Sequence, residues 1–256
     1  MQFTDIHAHV LAGVDDGPQK LSQMYALLDA LCRDQVVSIC CTPHYHPGYY
    51  GNNSGSSMEM YQLLTQYAKC KYPNLQLCLG NELHYSPSCI EWLESGECLT
   101  LNGTRNILVD FDYDESYSVI EFAVFSFLRH GFIPVLAHIE RYPALRWKSK
   151  CVEKLHNAGA IIQVNASSVL QPRRYPNVRK LLQHRIVDVV ASDTHSMEHR
   201  PPELTAAYEE VSRRYGKELA DALFFYNPNA ILNLNVFVNK KVLQKGSKKE
   251  STFNTQ

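Results

Sequence analysis

Seven short apolar runs, each closing on a polar residue able to bind metal or charge, alternate with amphipathic stretches along this chain. The runs are Phe3–His9, Val36–Cys41 (leading to Thr42-Pro43-His44), Leu75–Leu79 (Gly80-Asn81-Glu82) and Ile107–Val109 (Asp110). They continue with Ile133–Ala137 (His138), Ile161–Val164 (Asn165) and Ile186–Ala191 (Asp193 and His195). Apolar residues at helical spacing fill the gaps, at 21–33, 58–69, 117–130, 148–157, 178–184, 204–215 and 217–234. Runs this short and β-branched read as buried strands, and their alternation with helices argues for a parallel sheet with helices outside it. Such units can form an open doubly wound sheet or a closed barrel. The polar strand ends favour the barrel, because there all the C-terminal edges converge on one mouth.

Size and composition narrow the class further. At 256 residues and 45% hydrophobic, the chain can bury a full core in one α/β domain. It carries no internal repeat or linker. The net charge of −1 gives no reason to expect a nucleic-acid partner. Local charge collects in the tail, where Lys240, Lys241, Lys245, Lys248 and Lys249 face only Glu250. With no apolar periodicity, residues 239–256 read as a solvated, disordered end, leaving 1–238 as a single domain. No signal peptide is expected, since a core strand starts at Phe3, and no apolar run approaches the ~18 residues of a membrane span. The eight cysteines are scattered through strands and helices without a Cys-x-x-Cys pair, which suits reduced thiols and a cytoplasmic setting.

The first strand carries the sharpest chemical signal. In an extended segment residues i and i+2 share a face, so His7 and His9 present two imidazoles side by side. The loop Asp15-Asp16-Gly17 can fold carboxylates back over them. With the strand-end residues the candidates are His7, His9, Asp16, His44, Glu82, Asp110, His138, Asp193 and His195. Five imidazoles and four carboxylates without a thiolate suit Mn, Fe or Zn, and they are too many for one ion. One such residue is usually an ordinary polar group at a loop, but their recurrence at strand after strand points to a site for two or three ions. His130, His156 and His184 read as helix-end or solvent-facing residues. His46 and His84 read as neighbours of the ligands, and His199 as a loop residue.

Two arginines follow the candidates closely, Arg141 in His138-Ile139-Glu140-Arg141-Tyr142 and Arg200 in His199-Arg200-Pro201-Pro202. Each alone could be a surface salt bridge, but guanidinium groups beside a polymetal centre suit a doubly charged oxyanion such as a phosphate monoester. Cysteine-based phosphatase chemistry is excluded, because it needs an arginine six residues after the nucleophile. None of the eight cysteines has one; Cys98 comes nearest, with Arg105 seven residues on.

Asp5-Ile6-His7-Ala8-His9, Val14-Asp15-Asp16-Gly17, Thr42-Pro43-His44, Ala137-His138-Ile139-Glu140-Arg141-Tyr142 and Ala191-Ser192-Asp193-Thr194-His195, in this order, resemble the polymerase-and-histidinol-phosphatase (PHP) superfamily. More narrowly they resemble the bacterial metal-dependent protein-tyrosine phosphatases encoded with capsule and exopolysaccharide genes. The likeness runs from Phe3 to about Leu234. It implies a distorted (β/α)7 TIM-like barrel with a three-metal, usually manganese, centre. By matching motif, it assigns His7, His9, Glu82 and Asp193 to the first ion and Glu82, Asp110 and His138 to the second. Asp16, His44 and His195 fall to the third, and Arg141 and Arg200 to the phosphate. One departure stands out: the family's Ile-Glu-Phe is Val109-Asp110-Phe111 here, a carboxylate one methylene shorter. Asp112 could replace it only if the strand continued past Phe111.

The implied reaction is hydrolysis of phosphotyrosine on a protein by a hydroxide that the ions activate, with ions and arginines stabilising the equatorial oxygens. Histidine ligands must be neutral, so activity is expected to fall in mild acid. The implied partner is a bacterial tyrosine kinase with a Tyr-rich tail that controls polysaccharide assembly, met in the cytoplasm beside the membrane. The aromatic loop Tyr45–Tyr50 could stack on the substrate ring. The competing enzymatic expectation is a PHP phosphatase of a small monoester such as histidinol phosphate; a non-catalytic docking module would require lost ligands, and none is lost outright.

Overall fold

The computed structural model describes residues 1–50, 54–146 and 148–234; the Lys-rich tail expected from residue 239 lies outside them. Nine strands occur among them: β1 (Phe3–Ala8), β2 (Val36–Cys41), β3 (His44–Tyr45), β4 (Gln76–Leu79), β5 (Glu82–His84), β6 (Asn106–Asp110), β7 (Ile133–Leu136), β8 (Ile161–Asn165) and β9 (Val189–Ala191). They form two sheets, ordered β1-β2-β4 and β3-β5-β6-β7-β8-β9, and every pairing is parallel. The fold is an α/β fold on parallel sheets, as the alternation of runs implies.

The two-residue β3 and three-residue β5 were not expected. The apolar runs stop at Cys41 and Leu79, and the chain resumes pairing just beyond. Pro43 has no N–H to give a ladder. At Gly80 the backbone runs so close to Leu101 that a Cβ would stand 3.0 Å from its side chain. The two interruptions lie side by side, bridged by hydrogen bonds from Gly80 N–H to Cys41 O (2.9 Å) and Glu82 N–H to Pro43 O (3.2 Å). At the far edge β9 meets β1: Asp193 N–H donates to His7 O and His9 N–H to Thr194 O, both at 2.9 Å, with a parallel bridge between Ala8 and Thr194.

Helices Leu21–Arg33 and Leu204–Tyr215 occupy the expected spans. The first is entered through Gln23, whose side chain accepts from Lys20 N–H at 3.1 Å. The helix Tyr117–Arg129 is capped by Ser116 Oγ, which accepts from Val119 N–H at 3.3 Å. Three helices went unseen in the sequence, Cys89–Ser95, Pro143–Arg146 and Ala166–Leu170. The longest has seven residues, too few for a helical period to register. The last strand starts at Val189 rather than Ile186, because Ile186 N–H still closes the preceding helix onto Leu181 O at 3.0 Å.

The larger apolar core lies among sheet and helices and includes Phe3, Leu27, Leu31, Phe127, Val164 and Phe224. A smaller cluster takes Ile6, Cys40, Cys78, Leu108, Val135 and Val189 from six different strands and is closed off by Leu101, Ile231 and Leu232. All eight cysteines are free thiols. No helix among the described residues is long and apolar enough to cross a membrane.

Candidate metal centre

The sheet brings the strand-end residues together. His7 and His9, both fully buried, meet with their Nε2 atoms 3.1 Å apart. Each ring is oriented from behind. His9 Nδ1 lies 2.8 Å from Asp15 Oδ2, and His7 Nδ1 lies 3.2 Å from Gln163 Oε1, which already accepts from His138 N–H at 2.7 Å. An oxygen acceptor at Nδ1 fixes the proton there and leaves the lone pair on Nε2. Two lone pairs that close repel unless a cation, a proton or a metal ion, lies between them.

Glu82, at the start of β5, is the common anion. Its Oε2 stands 3.3 Å from His7 Nε2, 3.1 Å from His9 Nε2 and 3.1 Å from His44 Nδ1, and Oε1 takes His138 Nε2 at 2.9 Å. Asp193 Oδ1 lies 3.4 Å from His7 Nε2 and 3.5 Å from His195 Nδ1. Asp16 reaches His195 at 3.2 Å and His44 at 3.5 Å. His138 and Asp193 have positive φ, 33° and 52°, a strained conformation costing about 1–3 kcal/mol for such residues. It turns both side chains back toward the cluster at the strand end. Gly17 lets the acidic loop press on β1: a Cβ there would sit 2.7 Å from His9 O.

Seven of the nine candidates fall into three overlapping groups whose donor atoms lie within 4.8 Å of one another: His9, Asp16, His44 and His195; His7, His9 and Glu82; and His44, Glu82 and Asp110. His138 and Asp193 belong to none of the three. These groups overlap the allocation drawn from the resemblance without reproducing it. His9 also joins the Asp16 group, His44 takes the place beside Asp110, and His138 meets the other oxygen of Glu82 while its Nδ1 faces Tyr142 OH at 3.4 Å. Asp110 is the outlier, since its carboxylate takes His84 Nδ1 at 3.2 Å. Because β6 stops at Asp110, Asp112 turns outward, 72% exposed, with His84 Nε2 3.5 Å away.

The donor set fits divalent metal. It supplies nitrogen and oxygen without sulfur, and Glu82 Oε2 and His195 Nε2 are buried close to imidazole or carboxylate atoms without an aligned hydrogen bond among the described residues. A buried polar atom left so costs about 1–3 kcal/mol, a cost a bound cation removes. Charges are shifted in step. Burial alone would raise Glu82, but the His7 and His44 rings beside it hold it well below the usual carboxylate range. Burial would likewise lower His9, yet Asp15 and Glu82 raise it well above an ordinary histidine. His195 is pushed down to about 4, by burial first and then by the charge of His9.

The two arginines reach the same carboxylates. Arg141 Nη2 lies 2.7 Å from Asp193 Oδ2, and Arg200 lies 3.1 Å from Asp16 and 3.5 Å from Asp193. Both line a cleft of about 610 Å³ that opens beside the cluster. Of the remaining expectations, Tyr50 stacks on His44 (5.1 Å, 6° between planes), and His46 stacks on His84 at 4.0 Å. His130 bonds Ser126 O at its helix end, and His156 pairs with Asp188. Gln163, Asn165 and Asp15 were not among the candidates. Asn165 Nδ2 donates to Asp193 Oδ2 at 2.7 Å, and its Oδ1 accepts from Gln163 Nε2 at 2.7 Å. The available signal was a glutamine inside the apolar run Ile161-Ile162-Gln163-Val164, since a polar residue in a buried strand needs a partner.

Parallel strands that carry imidazoles and carboxylates to one edge define an α/β protein with a cluster able to hold metal. More particularly, the chain belongs to the capsular polysaccharide synthesis family CpsB/CapC, which it matches over residues 3–233. It is 33% identical to the tyrosine-protein phosphatase CpsB of Streptococcus agalactiae over 236 residues, covering 89% of this chain and 97% of that one. To CpsB of Streptococcus pneumoniae it is 34% identical, with the same coverage. Among solved structures it resembles one from work on YwqE of Bacillus subtilis and CpsB of Streptococcus pneumoniae, described as unique metal-dependent tyrosine phosphatases. That match has a TM-score of 0.83 and 26% identity, covering 90% of this chain and 94% of the other. A phosphotriesterase homology protein from Escherichia coli shares the fold alone, at a TM-score of 0.52 and 12% identity.

Proposed function

We propose that this chain is a metal-dependent protein-tyrosine phosphatase of capsule or exopolysaccharide synthesis. The observation that carries the reading is the seating of Arg141 and Arg200 on Asp193 and Asp16, at the edge of the histidine–carboxylate cluster and facing an open cleft. Family membership and the named relatives support it. His7, His9, Glu82 and Asp193, then Glu82, Asp110 and His138, then Asp16, His44 and His195 are the residues proposed to hold two or three ions, manganese in the first place and iron or zinc otherwise. When bound, metal supplies Lewis acidity and an activated water.

The chain's own residues do the rest. Arg141 and Arg200 bind the phosphate oxygens and orient phosphorus over the cluster; at 30% and 38% exposure they remain open to a ligand. Asp15 and Gln163 keep His9 and His7 in the tautomer that offers Nε2. Tyr50, held against His44, is positioned to pack on the substrate ring. Tyrosinate, with a parent pKa of about 10, leaves without a strong general acid.

The seven strand positions are proposed to close as a distorted (β/α)7 barrel, supported by the β1–β9 bridge and by the apolar cluster drawn from six strands. Residues 1–238 are the proposed phosphatase domain. The proposed substrate is a bacterial tyrosine kinase with a Tyr-rich tail, met in the cytoplasm next to the membrane. The test is manganese-dependent phosphate release from a phosphotyrosine peptide beside histidinol phosphate, with His7→Ala as control. Preference for the peptide, abolished by the substitution and by chelator, is expected. Preference for histidinol phosphate would overturn the protein substrate while keeping the metal centre.

A further inference from the structure

The cleft beside the metal centre is larger than one phosphate needs. Its volume of about 610 Å³ lies within the range of sites that enclose whole ligands. Its charge is unevenly placed. At the inner end, Arg141 and Arg200 lie against the ligand carboxylates Asp193 and Asp16. The lining also includes Arg146 and Arg174, which reach it from the segments that follow β7 and β8. Arg146 Nη2 donates to the carbonyl of Arg174 at 2.6 Å, which ties the two segments into one wall.

Arg174 itself is exposed. Its guanidinium lies 5.4 Å from the centre of the Tyr175 ring, and it has no carboxylate partner among the described residues. The acids of the same lining do not answer it. Glu140 is buried, with Oε1 accepting from Asn165 N–H at 3.0 Å, and Asp193 is taken by Arg141 and Arg200.

We propose that this outer wall, centred on Arg174, is a second anion subsite that binds a negatively charged side chain flanking the phosphotyrosine of the substrate. This rests on the phosphatase reading above. A guanidinium that is exposed, steadied by an aromatic face and without a carboxylate of its own is suited to a carboxylate or a phosphate. A substrate carrying its target group alone would leave the outer wall unused. The flanking anion is either an acidic residue or a second phosphotyrosine, and the same chemistry recognises both.

The test measures kcat/KM on p-nitrophenyl phosphate and on three peptides with one central phosphotyrosine: neutral flanks, glutamate flanks, and a second phosphotyrosine. One or both charged peptides are expected to exceed the neutral one by about three- to tenfold, mostly through KM, as suits one exposed charge-assisted contact. Which of the two is preferred identifies the anion. Arg174→Ala should bring the charged peptides down to the neutral one, and Arg174→Lys should keep part of the preference. Both should leave p-nitrophenyl phosphate turnover unchanged, which also shows the variants are folded. Equal kcat/KM for all three peptides in the wild type, or a preference that survives Arg174→Ala, overturns the subsite alone. Failure to hydrolyse p-nitrophenyl phosphate overturns the phosphatase reading and the subsite with it.

Discussion

The two sides of the metal centre are built on different terms. On the deep side His7, His9, Glu82 and Asp193 are between 0% and 2% exposed, and each is held by a second residue: Gln163, Asp15, His138 and Asn165 in turn. On the outer side Asp110 and His84 are 13% and 15% exposed and hold mainly each other. Side chains locked from behind cannot swing away, so the deep side is preorganised for the ion proposed there. The outer side can adjust, because its carboxylate has a competing partner within hydrogen-bond reach.

The largest effect should come from Glu82, which touches four imidazoles. Glu82→Gln keeps the shape and removes the carboxylate charge that all four share. Phosphate release should fall by about a thousandfold or more, on the scale of losing an essential electrostatic group, and bound metal per chain should drop on elemental analysis. Full metal occupancy with near-normal turnover would mean that the deep side is not where the chemistry lies. Asp15→Asn comes next. It leaves every proposed ligand in place and weakens what Asp15 holds, the ring of His9 together with the backbone N–H groups of Gly17 and His44, so a loss of about 10- to 100-fold in metal affinity or activity is expected.

Proton release tests the same contrast. In the metal-free protein burial would lower His9, but Asp15 and Glu82 raise it well above the ordinary value, so His9 keeps an extra proton to higher pH than an ordinary histidine does. Metal must displace that proton. Binding therefore releases it, and affinity should fall about tenfold per pH unit for each proton displaced below the raised pKa. His195, pushed down to about 4 by burial and by His9, is already neutral at pH 7 and releases none. Calorimetry in two buffers of different ionisation heat should show proton release in the wild type and in His195→Ala, and less in His9→Ala. Equal release in all three would place the displaced proton elsewhere.

How much of this could be read from the sequence follows from the range of each interaction. Strand positions and strand-end residues were legible because buried runs and their polar ends are local patterns, and His7 and His9 needed only the two-residue period of a strand. The short β3 and β5 were not, since two or three residues carry no period and their pairing depends on where a neighbouring strand breaks. Gln163 and Asn165 left a signal only as polar residues where the run should stay apolar. Their roles depend on His7, His138 and Asp193, which are distant in sequence. The engagement of Asp110 by His84 was likewise out of reach, because it depends on how β5 and β6 register, with His84 opposite Asp110.

That pair supplies the smallest predicted effect and the most informative one. Asp110 stands where the resembling family carries a glutamate, and its carboxylate is drawn toward His84. If the shorter side chain is what leaves the outer position weak, Asp110→Glu should lower the manganese concentration for half-maximal activity a few-fold, and His84→Ala should do the same by removing the competitor. If instead His84 serves to aim the short carboxylate, His84→Ala should raise that concentration, and Asp110→Glu, now too long for the pair, should raise it too. The two substitutions therefore move together under either account, and the sign of the shift decides between them. Either shift should leave proton release on the deep side unchanged, because neither residue is within hydrogen-bond reach of His9. A change there would show that the two sides are one coupled unit rather than a rigid half and an adjustable half.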